Sequence, residues 1–246
     1  MTVSIQTREI HYTALDGTSL IGYFAAPEDH TPVAGIIVAP EWWGRNEYTE
    51  QRARELAEHG YAALAIDMYG EKKSTTDAKQ AYEWMIQTFQ QPETIVTRAS
   101  AGLTTLIEQS EVNQNKLAAV GFCYGGKVIL DLARSGAALE AVVTFHATLA
   151  TNTPAEKEKI HAEILVLHGE EDTMVTLADV KTFTQEMADA AVKHEVKIFK
   201  DAKHGFSNPL ANERAKANNV DLGYNVEAEK AGLSAMYALL NRKLVE

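Results

Sequence analysis

The chain has 246 residues, 46% of them hydrophobic and 23% charged, with a formal net charge of −11. That length is ample for one well-buried core, the composition is that of a soluble globular protein, and the acidity disfavours a nucleic-acid backbone as partner. The start shows no basic segment followed by an apolar run, stretches such as Gly35 to Pro40 are too short to span a bilayer, and a single cysteine, Cys123, cannot form an internal disulfide. The expectation is a cytoplasmic protein, monomeric or a small homo-oligomer, with no membrane partner.

In chain order, Arg8 to Ala14 and Ser19 to Phe24 read as two strands joined by a turn at Asp16-Gly17, a hairpin signal. Gly35 to Ala39 is a continuous apolar run, as expected of a strand buried on both faces. Ala62 to Ile66, Leu117 to Phe122, Ala141 to Phe145 and Ile164 to Leu167 share that character, and the more polar Glu195 to Phe199 suits a sheet edge. Helical spacing lies between them. Ala53, Leu56 and Ala57 share a face of a helix that ends at Gly60; Leu103, Leu106 and Ile107 mark a second; Val128, Leu132 and Ala133 a third; and a last helix runs from about Val226 to Leu244. Strands alternating with helices after an antiparallel start predict an α/β fold, a mostly parallel sheet of about eight strands with helices on both faces. No linker-like stretch interrupts it, so residues 1–246 read as a single domain.

Gly121-Phe122-Cys123-Tyr124-Gly125-Gly126 follows an apolar strand and precedes an amphipathic helix. This is the G-x-nucleophile-x-G turn, with Cys where Ser is usual. The turn is so tight that the nucleophile's backbone is strained, and side chains at the flanking positions would collide with their neighbours, which accounts for the glycines. It lifts the nucleophile above the carboxyl ends of the strands, and the Tyr124 N–H is placed to donate to an oxyanion. A free cysteine is otherwise a small buried hydrophobe.

An acid and then a histidine should follow in chain order. The strand Ile164 to Leu167 runs into His168-Gly169-Glu170-Glu171-Asp172, where Asp172 is the preferred acid and Glu171 the alternative. After the next helix and strand comes Asp201-Ala202-Lys203-His204-Gly205-Phe206, which makes His204 the base. His11, His30, His59, His161 and His194 fall where solvent or helix ends are expected. The mechanism expected of this set is nucleophilic attack by Cys123, activated by His204 and Asp172, through a thioacyl intermediate. It needs no metal or other cofactor, and no zinc-type ligand spacing is present.

These residues make the chain similar to the dienelactone hydrolase family of the α/β-hydrolase fold. The likeness rests on Pro40-Glu41-Trp42-Trp43-Gly44, on the cysteine elbow, and on Asp172 with His204-Gly205-Phe206. It implies hydrolysis of a small-molecule ester or lactone, and a Glu41 that hydrogen-bonds the thiol and helps to activate it. The loop after the strand that ends at Ala39 supplies the second oxyanion donor in this fold, which points to the Trp42 N–H. Trp43, Tyr69 and His146 are candidates for the substrate pocket. The two arginines with which family members clamp a carboxylate have no counterpart here. Asn208 stands where one would be, and the loop Asp67 to Lys73 offers only lysines for the other. Two other readings use the same site: a thioesterase or acyltransferase, and a non-catalytic redox sensor with an exposed low-pKa thiol.

Overall fold

The computed structural model describes residues 3–29 and 31–245. Strands β1 (Ile5–Thr13) and β2 (Ser19–Pro27) form the N-terminal hairpin, in register from Ile5 opposite Pro27 to Thr13 opposite Ser19. Its turn closes with the Thr18 N–H donating to Asp16 Oδ1 at 2.9 Å, and Gly17 takes φ +83°, which a side chain would resist. The first strand starts three residues ahead of Arg8, because the alternation of exposure continues back to Ile5.

After β3 (Val33–Ala39) the chain settles into strands and crossovers: α1 (Glu47–Glu58), β4 (Ala62–Ala65), α2 (Ala78–Gln90), α3 (Pro92–Ile107), β5 (Val112–Phe122), α4 (Tyr124–Arg134), β6 (Ala141–Phe145), β7 (Glu163–Gly169), α5 (Leu177–Asp189), β8 (His194–Phe199), α6 (Ala211–Asn218) and α7 (Val226–Leu244). The eight strands lie in the order β1-β2-β4-β3-β5-β6-β7-β8; β1, β2 and β4 pair antiparallel, and β4 through β8 parallel. The polar β8 is an edge strand, as its sequence suggested.

Alternation along the central strands splits the core in two. Ile37, Leu64, Ala119, Val142 and Val166 face α3, α4 and α5; Ile36, Ala63, Val120, Val143 and Leu167 face α1 and α7. This is why the strands read as unbroken apolar runs: both faces are covered. Neither α2 nor α6 is among the helices expected from the sequence. In α2, Ala81, Trp84, Met85 and Phe89 make a stripe of apolar residues against the core, though only Ala81 and Thr88 are fully buried; of α6 only Ala211 and Arg214 are buried, and it carries no apolar stripe.

The parallel registers align Ala39 with Gly121, Phe122 with Phe145, Phe145 with Leu167 and Gly169 with Phe199. The carboxyl ends of β3, β5, β6, β7 and β8 therefore form one level rim. The β1 edge reaches that rim too: Glu9 accepts from Arg45 Nη2 at 2.7 Å and from Lys72 Nζ at 2.8 Å, tying together the loops that leave β3 and β4. Among the described residues no helix is long and apolar enough to cross a membrane. His30 lies outside the described residues.

Candidate active site

Cys123 occupies the one-residue joint between β5 and α4, with φ +53° and ψ −117°. Two close approaches hold it there. A Cβ on Gly121 would lie 2.3 Å from the Gly125 carbonyl oxygen, and one on Gly125 would lie 2.2 Å from the Ala39 carbonyl oxygen. Backbone bonds complete the clamp: Cys123 N–H to the Phe145 carbonyl at 3.0 Å, and Gly126 N–H to the Cys123 carbonyl at 3.0 Å. The thiol is half-buried. As first residue of α4, Tyr124 has an N–H for which the helix supplies no acceptor. Its side chain is fully buried, bonded to Thr88 Oγ1 at 2.9 Å and stacked on Tyr69 at 5.7 Å between centroids.

His204 lies five residues past β8 and is 3% exposed. Its Nδ1 meets Asp172 Oδ2 at 2.8 Å. Asp172 is pinned in turn, because its Oδ1 accepts the N–H groups of Met174 and Val175, each at 2.9 Å. Glu171, the alternative acid, is exposed and makes no such contact. His204 Nε2 is buried and has no hydrogen-bond partner among the described residues. Burial lowers the proton affinity of His204, but the nearby Cys123 and the hydrogen bond to Asp172 outweigh it and push the pKa up to about 10. The raised value favours a protonated imidazole at His204.

Glu41, two residues past β3, is 4% exposed. Its Oε2 accepts from Asn208 Nδ2 at 2.7 Å and lies 3.7 Å from Arg214 Nη1. Burial raises its pKa against the opposing pull of Arg214, Asn208 and His204, so its proton is held more tightly than an ordinary glutamate's. Glu41 is thus hydrogen-bonded to Asn208 and ion-paired with Arg214, and no hydrogen bond joins it to the thiol.

The expected pocket residues separate. Burial first, then the neighbouring Tyr124 and Cys123, raise the pKa of the Tyr69 hydroxyl, which donates to the Trp42 carbonyl at 3.0 Å. Trp42 is half-buried. Trp43 is not a lining residue: it is 1% exposed and forms a platform 4.7 Å beneath the Arg214 guanidinium. Asn208 is 1% exposed, with its amide bonded to Glu41 and its Oδ1 to the Leu210 N–H at 2.9 Å, so both ends are used inside the protein and it supports Glu41. His146 is fully buried behind His204 and bonded to Ser207, which keeps it from the substrate side. His11, His59 and His161 are exposed, and His194 is half-buried at the start of β8.

Sequence reasoning missed Arg214, because the helix that carries it, α6, left no periodic trace. It also missed Asp67, which is fully buried and accepts four backbone N–H groups, those of Ile21, Tyr69, Gly70 and Lys72, thereby shaping the loop that presents Tyr69. An Asp at a strand end ahead of Tyr-Gly is a turn-forming signal that points to such a role.

The dienelactone hydrolase family model matches residues 20–244. A dienelactone hydrolase-like promiscuous phosphotriesterase from metagenomic libraries is 34% identical, with a TM-score of 0.92 over 98% of this chain and 99% of its own. A Yersinia pestis protein named "Putative carboxymethylenebutenolidase" is 26% identical over 83% of this chain and 82% of its own length. A Bradyrhizobium protein named "Probable 2-oxo-3-(5-oxofuran-2-ylidene)propanoate lactonase" is 25% identical over 78% of this chain and 80% of its own.

Proposed function

The chain belongs to the dienelactone hydrolase family, and from that premise we propose that it is a carboxylic ester hydrolase cleaving small esters or lactones with Cys123 as nucleophile, His204 as base and Asp172 as the acid that orients it. The observation that carries this reading is the Asp172–His204 pair, bonded at 2.8 Å and buried, with Nε2 left without a hydrogen-bond partner among the described residues while Cys123 lies near enough to raise the proton affinity of the ring.

His204 Nε2 takes the thiol proton, and the thiolate attacks the substrate carbonyl carbon. The N–H of Tyr124, at the start of α4, and the N–H of Trp42 stabilise the oxyanion. Collapse breaks the ester C–O bond, and the leaving oxygen takes the proton from His204. Water then gives a proton to His204, attacks the thioester, and returns the thiolate. Asp172 keeps the imidazole proton on Nδ1 and stabilises the charged ring. Tyr69 and Trp42 face the substrate. Glu41, bonded to Asn208 and near Arg214, sits beside the base, where it adjusts local charge.

The test is hydrolysis of a short activated aryl ester with and without prior iodoacetamide. Lactones follow, and a phosphotriester joins the screen because of the similarity to the promiscuous phosphotriesterase. Turnover that vanishes on alkylation supports the reading, since Cys123 is the only cysteine. Full turnover by Cys123→Ala would refute it. Rapid alkylation without turnover of any ester would favour the redox sensor.

A further inference from the structure

Behind His204 lies a second imidazole for which the proposed mechanism has no use. His146 directly follows β6, is fully buried, and holds its backbone at φ +39°, a left-handed conformation unusual outside glycine. Its ring stands edge-on to that of His204, with centroids 5.2 Å apart. His146 Nε2 pairs with Ser207 Oγ at 2.8 Å, and Ser207 Oγ pairs with the Tyr48 hydroxyl at 2.8 Å. The Ser207 carbonyl accepts from Arg52 Nη2 at 3.0 Å and from the Tyr48 hydroxyl at 3.1 Å. The loop that carries the base is thus fastened from β6 on one side and from α1 on the other.

We propose that His146, acting through Ser207 and Tyr48, is a positioning residue for His204: it fixes the base against Cys123 and gives the imidazolium an uncharged wall. The proposal rests on the reading of Cys123 and His204 as nucleophile and base. The hydrogen-bond inventory supports the neutral ring. Ser207 Oγ both donates and accepts, so a neutral His146 with its proton on Nε2 is satisfied there and leaves no donor at Nδ1. A protonated ring would need a second acceptor at Nδ1, which is buried and has none among the described residues. The titratable and charged neighbours act in the same direction or are balanced. His204 and His168, on β7, oppose a further positive charge, as does Arg52 on α1; Glu55 and Glu229 pair with Arg52, and the Tyr48 hydroxyl is held neutral by burial. A second cation 5.2 Å from His204 would destabilise the imidazolium on which the thiolate depends.

The experiment is the pH profile of Cys123 alkylation by iodoacetamide, with kcat and KM for an aryl ester, in wild type, His146→Leu, His146→Gln and Ser207→Ala. Gln keeps an uncharged group where Nε2 meets Ser207; Leu does not. In folded His146→Leu and Ser207→Ala the acid limb should move up by about one pH unit or more, because the displaced base holds the thiolate less well. Their kcat should fall roughly tenfold or more with KM little changed. His146→Gln should restore most of both. Should His146→Leu not fold, Ser207→Ala carries the test, since it removes one oxygen and leaves the ring. Folded variants with an unmoved profile would overturn the inference while leaving the triad standing. A wild-type thiol no more reactive than free cysteine would overturn the triad, and this inference with it.

Discussion

Replacing Asp172 with asparagine tests the acid without changing its size. The two carboxylate oxygens have different duties: Oδ1 accepts the N–H groups of Met174 and Val175, each at 2.9 Å, and Oδ2 meets His204 Nδ1 at 2.8 Å. An amide has one oxygen to offer. The two backbone donors claim it, because turning the NH2 group toward them would set donors against donors in a buried turn. The amide nitrogen must then face His204, Nδ1 must accept, and the ring's proton moves to Nε2. That is the atom required to take the thiol proton. A base held in the wrong tautomer loses roughly a thousand- to ten-thousand-fold in kcat, about 4–5.5 kcal/mol of transition-state stabilisation. Ester turnover and the rate of Cys123 alkylation should be followed from about pH 5 to about pH 9, with the thermal midpoint as a folding control. Alkylation should shift to higher pH as turnover collapses. A folded Asp172→Asn protein with turnover within about tenfold of wild type would refute this account of the base.

Three further outcomes are expected. The Glu163 carboxyl is held down at about 2, chiefly by its hydrogen bonds to Arg242 and against burial, with Lys193 adding to the effect. Its stabilisation is therefore complete above about pH 4.5 and lost as pH falls from there toward about 2, so the melting temperatures of wild type and Glu163→Gln should converge over that window; with Arg242 half-exposed the gap is about 1 kcal/mol or less, and a gap that widens in acid would contradict the assignment. Arg52→Met leaves the buried Glu229 carboxylate without its guanidinium and the Ser207 carbonyl with one donor fewer, the Tyr48 hydroxyl remaining; denaturant unfolding should show a loss of about 3–5 kcal/mol, and a loss below about 1 kcal/mol would show the pair to be well hydrated. Gly125→Ala places a Cβ 2.2 Å from the Ala39 carbonyl oxygen, so the elbow must shift; turnover should drop about a hundredfold, and wild-type turnover would mean that β3 yields without disturbing the thiol.

The sheet was legible because its central strands are covered on both faces, which leaves apolar runs of the right length at Gly35, Ala62, Leu117, Ala141 and Ile164. The positions of Cys123, Asp172 and His204 past strand ends were legible for a related reason: chain order and a rim at the carboxyl ends constrain them before any coordinates. Roles that depend on which way a side chain turns were not. Trp43 reads the same as Trp42 in sequence, yet the turn after β3 sends it under Arg214. Asn208 and His146 lie at the rim in sequence, but in the fold each is turned inward to a buried partner, Glu41 and Ser207. Arg214 reaches the site from a helix whose exposed, charged residues give no periodic signal.

The clasp formed by Glu9 lies on β1, which falls outside residues 20–244, the stretch matched by the family model. The reacting groups and the tether of their flanking loops therefore belong to different parts of the chain. Trp42 and Tyr69 lie on the two loops that this surface carboxylate joins through Arg45 and Lys72. A substitution at Glu9 would therefore loosen the link between those two loops without touching Cys123, His204 or Asp172.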